Sequence, residues 1–167
     1  MRPLASAVGM SKSGLYAHFE SKEELQLATI EHALGVFEAN VLQGPASDLD
    51  TGLGALLERW LTFFERRVFP GGCFLIVSAV EFAHRRGPVP EALKRGIDRE
   101  IAALETAIQR AKKFGRLPSK LDTGQTAFEL HSILMNAHAL FQIKEDPAVF
   151  GRARAAIHRL VGGLDGL

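Results

Sequence analysis

The segment from Leu4 to Leu25, LASAVGMSKSGLYAHFESKEEL, constrains the fold of this chain more than any other. Small and apolar residues (Leu4, Ala5, Val8) run into Gly9, a residue able to take the left-handed conformation that ends a helix. Ser11 then supplies a side-chain oxygen to cap a second helix, which carries Leu15 and Phe19 on one face. Ser21-Lys22-Glu23-Glu24 follows as a capping box, with Ser21 as cap and Glu24 reaching back to the Ser21 N–H. Helix, glycine turn, helix is the arrangement that presents its second helix to the major groove of DNA.

Beyond this segment the chain is a series of helical stripes separated by glycine and proline. Apolar residues at Leu25, Ala28, Ile30, Leu34, Phe37 and Val41 predict a helix from Ser21 to about Leu42, stopped by Gly44-Pro45. Leu53, Leu56, Leu57, Trp60, Leu61, Phe64 and Val68 recur at three- and four-residue spacing and predict the next, which Pro70-Gly71-Gly72 breaks. Cys73 to Arg86 reads as a mostly apolar helix with cations before its Gly87-Pro88 stop, where they meet the negative end of the dipole. Pro90 to about Phe114 carries a narrow stripe of Leu93, Ile97, Ile101, Leu104, Ile108 and Ala111, ended by Gly115. Asp122, with Gln125 three residues on, caps a helix through Ile143, and Asp146-Pro147 opens a last one that fades at Gly162-Gly163. Strand alternation of useful length is absent, so the expected fold is all-α.

Composition narrows the function classes. Of 167 residues, 47% are hydrophobic, enough for a sizeable core, yet no apolar run approaches a membrane span and the start lacks signal-peptide layout. The single cysteine excludes an internal disulfide and fits a reducing cytoplasm. A net charge of +1 gives no global basic field, so any affinity for DNA has to come from a local, oriented set of groups.

The run GMSKSGLYAHFESKEEL resembles the operator-reading segment of TetR-family transcriptional repressors: a glycine and a hydrophobe, S-K-x-x-L-Y-x-H-F, a short turn, then S-K-E-x-L. The resemblance implies a helix-turn-helix head over residues 1–42, joined through its third helix to a ligand-binding and dimerising bundle over 46–167. Family members carry one more helix ahead of the segment that begins here at Arg2-Pro3-Leu4, so the head is expected to lack its first helix. A misassigned start codon, a clipped chain and a genuinely short product all fit that expectation. The break Phe69-Pro70-Gly71-Gly72-Cys73 also resembles a proline-glycine-glycine-cysteine junction found in one branch of these regulators.

Carried over by position, the resemblance places Ser11, Lys12, Ser13, Gly14, Tyr16, Ala17, His18 and Lys22 against DNA. Ser11 caps the reading helix, and Lys12 and Lys22 lie near phosphates. Tyr16 and His18 touch phosphate or base, and Ser13, Gly14 and Ala17 face base edges or the backbone. Leu15 and Phe19 are read as core. An effector site is expected among Trp60, Phe63, Phe64, Phe74, Phe82, His131, Met135 and Asn136 on the middle helices, with His84 and His138 nearby, an aromatic set suited to a small apolar or aromatic ligand. Taken singly, each of these side chains reads better as an ordinary core residue; only the set, together with the resemblance, points to an effector site. Cys73 at a helix start leaves redox sensing open.

Metal and enzyme readings find little. His131 and His138 share a helix face with Glu129 near, but neither an HExxH pattern nor a cysteine pair accompanies them, and no cofactor is implied. Phosphate loops and nucleophile elbows are lacking. The resemblance therefore implies a ligand-responsive, cytoplasmic, homodimeric repressor whose full-length form, with the first helix present, binds a palindromic operator, while the chain as it stands is expected to bind DNA poorly. In that mechanism, ligand in the bundle shifts the linking helix and alters the separation of two reading helices. The alternative is a dimeric small-molecule-binding or scaffold protein whose head no longer functions. Dimerisation is expected through the last two helices, by the part of the stripes Ala127, Leu130, Leu134, Ala137, Phe141 and Val149, Ala153, Ala156, Ile157, Leu160, Leu164 that covering the bundle core leaves free; the alternative is that all of these residues face the core of the single chain.

Overall fold

In the computed structural model, residues 2–43, 52–69 and 71–162 are described, with all their side chains except those at 2, 3, 5, 12, 15 and 16. Two short helices, α1 (Arg2–Ala7) and α2 (Lys12–His18), lead into α3 (Lys22–Phe37). α3 continues without a break into a π turn over Glu38–Leu42. Five more helices follow: α4 (Gly52–Glu65), α5 (Phe74–Phe82), α6 (Pro88–Lys113), α7 (Thr123–Lys144) and α8 (Ala148–Val161). The described residues contain no strand.

Local side-chain chemistry sets the starts of α2, α3, α7 and α8. The Ser11 hydroxyl accepts the Gly14 N–H at 2.9 Å and the Ser21 hydroxyl accepts the Glu24 N–H at 3.0 Å, each satisfying a donor that the first helical turn leaves free. Glu24 does reach backward, but to the Glu20 N–H, at 2.6 Å, rather than to Ser21, so the reciprocal bond spans four residues. Asp122 accepts from the Gln125 N–H at 2.8 Å and opens α7; Asp146 accepts from the Ala148 N–H at 2.9 Å and opens α8. Gly9 has φ +67° and turns the chain between α1 and α2.

Several boundaries fall inside the expected ones. α4 ends at Glu65, short of Val68, and α5 occupies Phe74–Phe82 rather than all of Cys73–Arg86. The chain turns at Arg67, which takes a φ of +50°, and the cations after Phe82 are solvated in a loop. Gly44-Pro45, Pro70, Gly163 and Leu164 lie outside the described residues.

The core joins every helix from α3 onward. Trp60, Leu57, Leu61, Leu104, Ile108, Leu130, Leu134, Phe150 and Ile157 are fully enclosed, at about 1.5–3 kcal/mol of burial free energy for each large aliphatic or phenyl side chain. α6 lies against α3, α4, α5 and α7, and α7 against α8. The buried face of α6 is Leu93, Gly96, Glu100, Leu104, Ile108 and Ala111, with Ile97 and Ile101 only half-buried beside it. Glu100 thus occupies a core position on that stripe. At Gly96 an added Cβ would sit 3.1 Å from Leu75 and 3.2 Å from Leu34, so the bare backbone lets α5 and α3 both close on α6 at one point.

The stripes expected to form a dimer interface are spent inside the single chain. Ala127, Leu130, Leu134, Ala137 and Phe141 of α7 are buried, as are Val149, Ala153 and Ile157 of α8; Ala156 and Leu160 are half-buried. Helical periodicity marks a buried face and does not say which partner buries it.

Candidate functional site

α2 and the start of α3 form the exposed end of the molecule. The Ser11 cap holds α2, and its Oγ lies 3.0 Å from that of Ser13. Ser11, Ser13, Ala17, His18 and Lys22 are all exposed and Gly14 is half-buried. A Cβ on Gly14 would come 3.2 Å from the Ser11 oxygen, tight enough to press on the cap. The side chains of Lys12, Leu15 and Tyr16 lie outside the described ones, and Phe19 is half-buried. Lys22 stands in the first turn of α3, where free N–H groups add to the attraction for anions.

The second centre is the aromatic interior where α3, α4 and α5 meet α6 and α7. Phe37 of α3 meets Trp60 edge-on at 4.9 Å and Phe63 at 5.7 Å between ring centroids. Phe63 continues to Phe69 at 5.7 Å, and Phe69 to Phe74 at 6.2 Å. Two small voids of about 10 Å³ each, partly open to the surface and with room for about one water, border this packing. One is walled by Ala33, Phe37, Phe63, Phe69, Cys73, Phe74, Leu75 and Glu100. The other is walled by Leu34, Phe37, Glu38, Leu42, Gly96, Arg99 and Glu100. Phe37 and Glu100 belong to both.

Glu100 is the electrostatic centre of this interior. It is 1% exposed; its Oε2 lies 3.4 Å from His131 Nε2, and its Oε1 has no hydrogen-bond partner. Burial pushes its pKa above the ordinary carboxylate value, and the bond to His131 and its charge oppose that shift. Trp60 is also enclosed, with an unpartnered indole N–H, its ring 6.1 Å from that of His131.

A neighbouring cluster locks the turn between α4 and α5. Cys73 is buried at the N-terminal cap of α5, and its N–H donates to His138 Nε2 at 2.7 Å. Burial, then the negative charge of Glu100, drive the Cys73 thiol up to about 12, so it stays a thiol at neutral pH. The His138 ring meets that of Phe64 at 4.7 Å in a tilted arrangement, and its pKa is lowered by burial.

Of the residues the sequence offered for an effector site, Phe63 and Phe74 wall a void directly, Trp60 stands one ring behind Phe37, and His131 stands behind Glu100. Phe64 faces His138, and Phe82 is covered by the Arg85 guanidinium at 4.5 Å. Met135 is half-buried, and Asn136 and His84 are exposed. Phe37, Phe69 and Glu100 were not foreseen. The available signal for Glu100 was its place seven residues after Leu93 and four before Leu104, on a stripe otherwise apolar. Among the described residues no three His, Cys, Asp or Glu side chains gather to hold a metal ion, and no helix is long and apolar enough to cross a membrane.

Comparison with known proteins agrees with this fold. Residues 51–157 match the family described as "Tetracyclin repressor-like, C-terminal domain", and residues 1–29 match "Bacterial regulatory proteins, tetR family". A TetR transcriptional regulator from Chloroflexus aurantiacus is 25% identical, with a TM-score of 0.79 over 94% of this chain and 80% of its own. A TetR-family regulator from Cytophaga hutchinsonii is 17% identical and shares the fold with a TM-score of 0.80, over 98% of this chain and 83% of its own. AibR, crystallised with isovaleryl coenzyme A and operator DNA, is 22% identical with a TM-score of 0.68, over 95% of this chain and 85% of its own. No curated protein matches. With a family match over most of its length, an all-α fold and a helix-turn-helix leading into a helical bundle, the chain belongs to the TetR family of transcriptional regulators, proteins that are transcription factors and not enzymes.

Proposed function

We propose that this regulator is a homodimeric, ligand-responsive repressor that binds a palindromic operator in the cytoplasm. The observation that carries the reading is the reach of α3. Lys22 in its first turn belongs to the exposed DNA-facing end, while Ala33 and Phe37 near its last turn wall the aromatic void. Fifteen residues of helix separate Lys22 from Phe37, roughly 22 Å at 1.5 Å per residue. A ligand that opened the interior would have to move Phe37, and with it the rod that sets the position of the head. In a dimer whose half-sites are fixed by the DNA helix, that motion breaks simultaneous engagement.

The proposed DNA contacts are Ser11, Lys12, Ser13, Gly14, Tyr16, Ala17, His18 and Lys22. Gly14 and Ala17 bring close approach and methyl contact, while Lys12, Tyr16, His18 and Lys22 bring phosphate affinity. The proposed effector contacts are Phe37, Phe63, Phe69, Phe74 and Glu100, with Trp60 and His131 behind them. AibR, which has the same fold, carries both a small molecule and operator DNA, which supports a two-site reading here.

Dimerisation is proposed through the outer faces of α7 and α8. On α7 these carry Phe128 (65% exposed), Ser132, Ala139 and Ile143 (78% exposed); on α8 they carry Ala148, Gly151 and Ala155. Large apolar groups at the ends of one helix and small residues along the other suit close antiparallel packing across a two-fold axis.

Selection of binding sites from a random DNA pool, followed by anisotropy titration, tests the proposal. Enrichment of an inverted repeat is expected. Lys22→Ala should lower the slope of log affinity against log salt by about one, the signature of one lost phosphate contact. A pool that yields no inverted repeat would leave a ligand-binding protein with an idle head as the better reading.

A further inference from the structure

We propose that the effector site walled by Phe37, Phe63, Phe69, Phe74 and Glu100 takes a small organic cation, a protonated amine on an aromatic or alkyl body. The inference rests on the regulator reading above and adds the charge of the ligand. Three observations carry it. First, Glu100 is enclosed and its Oε1 has no hydrogen-bond partner in the protein, so a donor that enters the void beside it gains a buried acceptor. Second, Phe37, Phe63, Phe69 and Phe74 make up half of the wall of the void next to it, and a phenyl ring attracts a cation that settles over its face. Third, those same walls hold no cation. In the adjoining void the guanidinium of Arg99 is already engaged by Glu38 at 3.4 Å. His131 approaches the other oxygen of Glu100, Oε2, and leaves Oε1 free.

An anion would meet the carboxylate, which repels it. A neutral alcohol could donate to Oε1 and pack its body on the rings but carries no charge for the carboxylate to attract. A primary ammonium donates to Oε1 and places its charge among the phenyl groups, so both features reward the same ligand. The two voids share Phe37 and Glu100, so rotation of the Phe37 ring would join them into a single site alongside the carboxylate. Recognition and displacement of α3 are then one event.

The test uses three probes of one shape: 3-phenylpropylamine, 3-phenylpropanol and 3-phenylpropionate. Each is titrated into the full chain at neutral pH, with the fluorescence of Trp60, the single tryptophan, as readout and calorimetry as a check. The ammonium probe should bind at least tenfold more tightly than the alcohol, and the carboxylate should be weakest. Glu100→Gln should erase the tenfold preference and leave the affinity for the alcohol within a factor of two or three. The ranking in the wild-type protein stands without any variant, and helicity confirms that Glu100→Gln folds. Equal or tighter binding of the alcohol or the carboxylate would overturn the inference. So would an undiminished preference in Glu100→Gln, or no binding of any probe at millimolar concentration. Operator binding by the unliganded protein is measured separately: its failure removes the regulator reading, whereas a reversed probe ranking removes only the cation.

Discussion

The backbone N–H of Cys73 donates to Nε2 of His138, at 2.7 Å, and so ties the turn before α5 to the middle of α7. A ring nitrogen that accepts is unprotonated, so the bond fixes His138 as neutral imidazole with its proton on Nδ1. The residue before Cys73, Gly72, has φ +89°, and a Cβ there would lie 2.0 Å from the same nitrogen.

Gly72→Ala is therefore expected to fail on two counts, left-handed backbone and collision with His138. A loss of about 3 kcal/mol is expected, which for a chain of this size lowers the melting temperature by roughly 6–12 °C. Gly71→Ala is the control, since a Cβ there meets nothing within 4 Å and the backbone is not left-handed. Thermal unfolding by circular dichroism should separate the two variants clearly, and equal melting temperatures would refute the close approach.

Acid should loosen this same tie. Burial lowers the His138 pKa below its ordinary value of 6.5, so the unfolded chain takes up the proton first as pH falls. The stabilisation is complete above pH 6.5 and is lost progressively below it, toward the folded pKa. Cys73, the other titratable group against His138, stays protonated throughout that range. Melting temperatures of the wild type and His138→Gln, compared from pH 7.5 to 5, should converge as pH falls; a constant difference would exclude His138 as the source.

Glu100 titrates in the opposite sense. Its folded pKa lies above the ordinary 4.5, so as pH rises the unfolded chain loses the proton first. Native stability then declines from about pH 4.5 upward, until Glu100 itself ionises. Cys73 and His131 are the titratable groups beside it. Glu100→Gln removes this cost and should melt higher than the wild type at pH 7, with the advantage closing toward pH 4. A variant that melts lower at pH 7 would mean that the bond to His131 outweighs burial.

Two alanines on α8 separate the dimer from the core. Ala153 is 4% exposed in the single chain and faces the bundle, whereas Ala155 is on the outer side. Aspartate at Ala153 should unfold the protein, at roughly 3 kcal/mol or more for an unpaired buried charge. Aspartate at Ala155 should weaken self-association at least tenfold with helicity intact. Sedimentation velocity and circular dichroism together read both effects. A wild type that sediments as a monomer at micromolar concentration would end the two-half-site mechanism.

The parts of this fold that were legible in the sequence are those decided by neighbours in the chain. Ser11, Ser21, Asp122 and Asp146 each accept a bond from a residue two or three positions ahead, so the serine or aspartate itself announces the helix. The family string worked for a related reason, because it spells out consecutive local choices. What remained hidden depends on residues far apart. Glu100 reads as a surface acid until His131 and the phenyl rings are brought around it. The continuation of α3 as a π turn is held from a distance as well. The Arg59 Nε–H donates to the Val41 carbonyl at 2.8 Å, and Arg99 reaches Glu38. The α7 stripe is legible as apolar, but spacing carries no information about how it is divided between α6 and α8 and a second chain.

Gly96 gives α3 a fulcrum. Its bare Cα is where Leu34 presses on α6, one turn before Phe37 and twelve residues after Lys22. At 1.5 Å per residue the arms are about 4.5 Å and about 18 Å, a ratio of roughly four. A stiff α3 rocking on that contact would turn 1 Å of ring displacement at Phe37 into roughly 4 Å at Lys22, in the opposite direction. A small movement in the interior would then be enough to take a lysine out of reach of a phosphate, and filling the notch at Gly96 would change the gearing without touching either end.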